Sequence, residues 1–308
     1  MRWNLISPDW PALSFPEWEG TCDTLHMWTQ IVGKTRLAFT PLENHWWNVT
    51  LYVTPRGLTT SPIPFRRRSF EVEFDLIAHQ LLIRSSEGAE RLISLFPRSV
   101  ADFYGEYMAC LRSLGIEATI YRRPVEFDDA TPFDRDFHHA SYNAKHVESF
   151  RRILTGVDRV FKEFRARFLG KCSPVQFFWG SFDLAVTRFS GRTCPLPADV
   201  DAITREAYSH EVISCGFWPG DRKFPHAAFY SYTKPAPLGI EKAAHWNSQM
   251  GEFVLKYDDA RAAESPDQAI LDFCQSTYEA GANLAGWDRD ALERKAGPPL
   301  TLNADGRA

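Results

Sequence analysis

The chain has 308 residues, 44% apolar and 24% charged, with a formal net charge of -4. That is the make-up of a soluble globular protein, long enough for two domains or for one domain built from two related halves. The mild acidity gives no electrostatic case for nucleic acid or an anionic membrane as partner, and no stretch approaches the roughly 18 apolar residues of a membrane-spanning helix.

The first 20 residues, with Pro8, Trp10, Pro11, Pro16 and Trp18, read as an irregular segment lying on the core. From Thr21 to Phe39, the spacing of Leu25, Trp28, Val32 and Phe39 predicts a helix. A strand follows through residues 46–54. Alternation over 69–77 and 80–85 predicts half-buried antiparallel strands. Ser99, with Asp102 placed to return its hydrogen bond, caps a helix whose apolar stripe runs from Val100 to Leu114, and Gly115 ends it. The acidic, Pro-containing stretch from Val125 reads as a linker. A long helix is expected over 144–169, strands at 173–187, 207–217, 226–233 and 251–257, and a helix from Ser265 to about Gly286. The expected layout is a first α+β half (1–124), a linker or lid (125–143), a second α+β half (144–295) and a disordered tail (296–308).

One recurrence stands out. Residues 40–54 lie over 173–187 without a gap, with Pro, Trp, Leu, Val and Thr repeated at a constant offset of 133. It suggests an internal duplication, each half being helix, antiparallel strands, helix, with helices packed on one face of the sheet. The class is α+β. A parallel dinucleotide-binding sheet is disfavoured, since there is no Gly-x-Gly-x-x-Gly and no Walker loop.

Four blocks carry a family resemblance: Thr24–Lys34 (TLHMWTQIVGK), Pro55–Pro64 (PRGLTTSPIP), Phe161–Phe168 (FKEFRARF) and Ser209–Gly220 (SHEVISCGFWPG). Over almost the whole chain to about Arg294, the sequence resembles an uncharacterised bacterial family catalogued only as a domain of unknown function. The resemblance implies no activity and no site residues.

Candidate chemistry therefore comes from the residues. Strand periodicity puts Trp46, Asn48, Tyr52 and Arg56 on one face of the first copy, and Trp179, Ser181, Asp183 and Thr187 on the equivalent face of the second. Trp plus small polar groups, nearly free of Lys and Glu, suits an aromatic-walled pocket for a small molecule; the bland alternative is a solvated sheet face. Asp183 is a charge present in only one copy, where the other has Thr50. His210-Glu211 is the most enzyme-like pair, although a regular strand points the two to opposite faces. Glu211 is then either a site carboxylate or one half of a structural ion pair with an Arg of the long helix, such as Arg165 or Arg167. Arg56 and Arg188 are candidate anchors for an anionic group. His139, beside His138, is a lid residue or an ordinary loop histidine, and His26 and His45 read as core or cap histidines.

No spacing supports a metal site, and no cofactor is expected. Six scattered cysteines and the absence of a signal pattern point to a reducing cytoplasm. The leading expectation is an acid–base enzyme acting on a small organic molecule, with Asp183, His210 and Glu211 as proton-transfer groups. The alternative is a non-catalytic binder of an aromatic or hydrophobic ligand. A homodimer is left open.

Overall fold

The computed structural model describes residues 10–295; the expected disordered tail and the first nine residues lie outside them. The class is α+β, with seven helices and two six-stranded antiparallel sheets among these residues.

Helix α1 (Phe15–Phe39) starts six residues earlier than its apolar spacing indicates, because Pro16 suits a first turn and Trp18 is buried. All sixteen residues from Thr21 to Arg36 are buried, so α1 is a core helix rather than an amphipathic surface one. Strands β1 (Tyr52–Val53), β2 (Gly57–Thr59), β3 (Ile63–Phe65), β4 (Arg68–Asp75), β5 (Gln80–Ser85) and β6 (Glu90–Ser94) form the first sheet in the order β1-β2-β4-β5-β6, with β3 paired to β4. Helix α2 (Val100–Ser113) is capped by Ser99, which accepts from the Asp102 amide as expected.

Helix α3 (Ala144–Ala166) is capped by Asn143 and buries Val147, Phe150, Ile153, Leu154, Val157, Val160, Phe161 and Phe164. The second sheet runs β11-β12-β10-β9-β8-β7, from β7 (Gln176–Phe178), β8 (Asp183–Thr193), β9 (His210–Trp218), β10 (Ala228–Lys234), β11 (Trp246–Asn247) and β12 (Glu252–Lys256). Short helices α4 (Ala202–Ala207), α5 (Tyr257–Ala262) and α7 (Arg289–Leu292) fill connections, and α6 (Pro266–Leu284) packs beside α3 on one face of this sheet.

The two copies of the sequence recurrence take different places. Residues 40–54 are a loop with a single 3-10 turn at Asn44–Trp46, then the two-residue edge strand β1. Residues 173–187 are β7, a turn and the start of the eleven-residue β8. His45 and Trp46 both have positive φ (58° and 61°), which breaks the strand expected there. The segments instead meet each other: Leu51 and Phe177 exchange both backbone hydrogen bonds, at 2.9 and 2.8 Å, and tie the two sheets together. The buried side chains of both halves form one continuous core.

Candidate functional site

Register and pleat sort the second sheet into two faces. Leu184, Val186 and Arg188 of β8, Ile213, Cys215 and Phe217 of β9, and Phe229 and Ser231 of β10 face the α3–α6 layer. The opposite face carries Asp183, Ala185, Thr187 and Phe189 of β8, Val212 and Ser214 of β9, and Tyr230 and Tyr232 of β10. All eight line one cavity of about 840 Å³. Its other walls are Lys34, Leu37 and Ala38 of α1, the loop residues Trp46, Trp47 and Val49, the 119–126 segment, and Ile203 and Thr204 of α4. A neighbouring cavity of about 500 Å³ shares Glu126, Ser181, Asp183, Tyr230 and Tyr232 with it and adds Asp23, His26, Trp218, Arg222 and Glu252.

Asp183 stands where the two cavities join. It is 5% exposed, and its two carboxyl oxygens accept hydrogen bonds from the Ser181 and Tyr230 hydroxyls. No cation lies within ion-pair distance of it among the described residues. Burial pushes its pKa up to about 6; the two hydroxyls oppose the rise, and the nearby Glu126 charge adds to it. Glu252 is pushed up to about 7 by burial and then by the Asp183 charge. Burial also raises Glu126. Glu126 thus disfavours ionisation of Asp183, and Asp183 that of Glu252. Tyr230 and Tyr232 are held well above the usual phenol range by burial, so they remain protonated donors. Tyr232 in turn meets Tyr208, hydroxyl to hydroxyl, at 3.1 Å.

Local sequence explains how these groups fit. Gly216 lies under the Tyr230 ring, and a Cβ there would sit 2.2 Å from it. At Gly180 a Cβ would come within 2.8 Å of the Glu126 carboxylate. Trp179 lies flat on α1 because residue 33 is glycine, and its indole N–H donates to the Val49 carbonyl at 2.7 Å. The turn after it is held from α1: His26 Nε2 reaches the Trp179 and Gly180 carbonyls at 3.0 and 2.9 Å. Burial pulls the His26 pKa down to about 4, so this imidazole is a neutral donor at physiological pH. Gln30 clamps Val125 through both its amide N–H and its carbonyl (2.9 and 2.8 Å), which fixes the strand of chain that carries Glu126.

Lys34 sits on the opposite wall at 4% exposure. Its ammonium lies 5.1, 5.5 and 5.9 Å from the ring centres of Tyr121, Trp179 and Phe133, and burial lowers its pKa to about 8. Another end of the large cavity is closed by His45 and Trp46. The Trp46 indole donates to the Ile203 carbonyl at 3.2 Å, and His45 Nδ1–H donates to the Ala207 carbonyl at 3.1 Å while its Nε2 accepts from Lys171 at 2.6 Å.

Of the candidate residues singled out from sequence, Trp46, His45, Trp179, Ser181, Asp183 and Thr187 line the larger cavity and His26 the smaller one; the others line neither. His210 shares the cavity face of β9 but lies eight residues from Trp218, which the register sets opposite Asp183. That is about 26 Å along the strand, so His210 and Asp183 do not converge. Glu211 points to the other face and pairs with Arg192 at 2.7 Å and the Ser190 hydroxyl at 2.8 Å, the structural pairing with a different arginine from those expected. Arg188 is fully buried on the helix side, its guanidinium 3.5 Å from the Phe164 ring centre and 4.3 Å from that of Tyr278, donating to the Phe164 carbonyl. Arg56 pairs with Asp75 at 2.6 Å. Asn48 staples its own loop through Thr40 and the Glu43 amide, and Tyr52 stacks under Arg36. His139 pairs with Asp136 at 2.8 Å, which raises its pKa, and it lines neither cavity. Sequence reasoning missed Lys34, Glu126, Tyr230, Tyr232 and Glu252. The Tyr-x-Tyr alternation of β10 was a legible signal; Glu126, in an irregular segment at φ 53°, gave none.

Among the described residues, no cluster of three or more His, Cys, Asp and Glu side chains is arranged to hold a metal ion, and no helix is long and apolar enough to cross a membrane. No curated protein and no solved structure matches the chain. A family sequence model does, over residues 10–294, and the protein belongs to that family, DUF5996, a family of unknown function.

Proposed function

We propose that the protein binds a small organic molecule in the larger cavity and moves a proton to or from it through Asp183. The observation that carries this reading is a nearly fully buried carboxyl at the junction of two cavities, held by two hydroxyls and paired with no cation among the described residues. A carboxylate needed only by the fold is ordinarily paired. A carboxyl that titrates near 6 can both give and take a proton at neutral pH, which is what general acid–base catalysis requires.

The Asp183 charge disfavours ionisation of Glu252, which borders the smaller cavity. With Asp183 ionised and Glu252 protonated, the cavity junction offers a base and an acid. The protonated Tyr230 hydroxyl supplies a donor beside the reacting atom. The aromatic wall of Trp46, Trp47, Trp179, Phe178 and Phe189 orients the apolar part of the ligand, and the volume suits a molecule of metabolite size.

The preponderance of apolar wall also favours a second reading, a carrier that binds an aromatic or hydrophobic ligand without changing it. Incubation with a metabolite mixture in heavy water, followed by mass spectrometry, separates the two. Under the acid–base reading, wild-type protein converts or deuterates a compound that Asp183→Asn binds but leaves unchanged. Conversion that persists in Asp183→Asn refutes the role of Asp183, and binding without conversion by wild type supports the carrier.

A further inference from the structure

Lys34 is the one charged residue of the large cavity that faces aromatic rings instead of a counter-charge. Among the described residues no carboxylate lies within ion-pair distance of its ammonium, and burial alone accounts for its lowered pKa. Glu126 and Asp183 border the same cavity without pairing with Lys34. Tyr121, Trp179 and Phe133 stabilise the cation through their ring faces without neutralising it. A lysine this deeply buried and left without an anion is costly, and the cost is recovered when an anion arrives with the ligand.

The site is also built for Lys34 to stay in place. Its stem emerges from the C-terminal part of α1, next to Gly33, whose missing Cβ allows the Trp179 ring to lie against the helix. Leu37 and Ala38, one turn further along, continue the wall with Trp47 and Val49. An anion seated at Lys34 therefore has apolar surface beside it, and the hydroxyls and carboxyls of Tyr230, Asp183 and Ser181 farther along the same cavity.

We propose that Lys34 binds the carboxylate of an amphipathic organic acid whose apolar body lies along the Trp46, Trp47 and Phe178 wall and whose far end reaches Asp183. The inference rests on the reading of the cavity as a ligand site and names its ligand class: a monoanionic carboxylic acid with an aromatic or branched hydrocarbon body. Phosphorylated or nucleotide ligands do not fit this class, since one lysine provides a single positive charge and no second cation borders the wall around it.

The test is isothermal titration calorimetry of wild-type protein with a series of phenylalkanoic acids, from phenylacetate to 6-phenylhexanoate, and with the corresponding primary amides, which keep shape and remove charge. The expected result is that at least one acid binds tenfold or more tighter than its amide. In Lys34→Met this preference disappears while amide binding persists. At pH 8.5, acid binding by wild type should be accompanied by proton uptake, read from the dependence of the heat on buffer ionisation, because the carboxylate raises the Lys34 pKa from about 8. This readout needs no variant and stands even if Lys34→Met fails to fold. Equal binding of acids and amides, with no proton uptake, overturns the anion inference and leaves the cavity reading intact. Failure of every acid and amide to bind overturns both.

Discussion

Replacing Asp183 with Asn tests the central group without any knowledge of the ligand. The carboxyl is protonated up to about pH 6 in the folded protein, against 3.8 for its ordinary value. Between those two pH values the unfolded chain has released its proton and the folded chain has not. Stability therefore falls as pH rises through this window, and the loss is complete above about pH 6. A rise from 3.8 to about 6, at about 1.36 kcal/mol for each tenfold change in proton affinity, is a penalty of about 3 kcal/mol at neutral pH. Asparagine imitates the protonated carboxyl: its carbonyl accepts from Tyr230 and its amide donates to the Ser181 hydroxyl. The variant should match wild type near pH 4 and exceed it by about 3 kcal/mol at pH 7.5. With an unfolding entropy of about 0.65 kcal/mol/K for a chain of this length, that is about 5 °C in Tm. Thermal melts of both proteins from pH 4 to 8 give the difference curve. A variant that melts several degrees below wild type at pH 7.5, or a difference that does not change with pH, refutes the reasoning and makes Asp183 a structural residue. A charge that weakens the fold and yet occupies the site is the expected trade between stability and function.

Three further outcomes follow from other parts of the molecule. Gly33→Ala places a methyl 2.2 Å from the Trp179 ring, so it should cost about 1–3 kcal/mol in urea denaturation and change the tryptophan emission as the ring is displaced. Arg188→Ala empties a fully buried site between α3 and α6 and removes the guanidinium that donates to the Phe164 carbonyl; it should cost about 3 kcal/mol or more while calorimetric ligand affinity at the opposite sheet face stays unchanged. Asp136→Asn removes the chief cause of the raised His139 pKa, so that pKa should fall in an NMR titration. The stability deficit of this variant should be greatest at about pH 5–6, where carboxylate and imidazolium coexist, and shrink as pH rises through the raised His139 pKa.

Much of the secondary structure was legible in the sequence because it is set by near neighbours. The α2 cap at Ser99, the apolar stripe of α3, the alternation of β4 and β5 and the Pro266 start of α6 are local patterns, and each is where those patterns place it. Period two likewise put Asp183 and Thr187 on one face of β8, and the same rule, followed five residues along, sets Arg188 on the other. The strand expected through Trp46 and Trp47 failed for a physical reason: positive φ at His45 and Trp46 turns the chain, and nothing in the residue types signals it. Sequence recurrence could not reveal that these two segments would pair with each other at Leu51 and Phe177 instead of occupying equivalent places. The site itself was decided by tertiary structure alone. Lys34 from α1, Glu126 from an irregular segment, Asp183 from β8, Tyr230 from β10 and Glu252 from β12 are far apart in the chain; the sequence singles out Asp183, while Lys34, Glu126 and Glu252 look ordinary in their own neighbourhoods. What makes them exceptional is loss of water and the company of other charges, and both arise only when the sheet, α1 and the 119–126 segment close around one cavity.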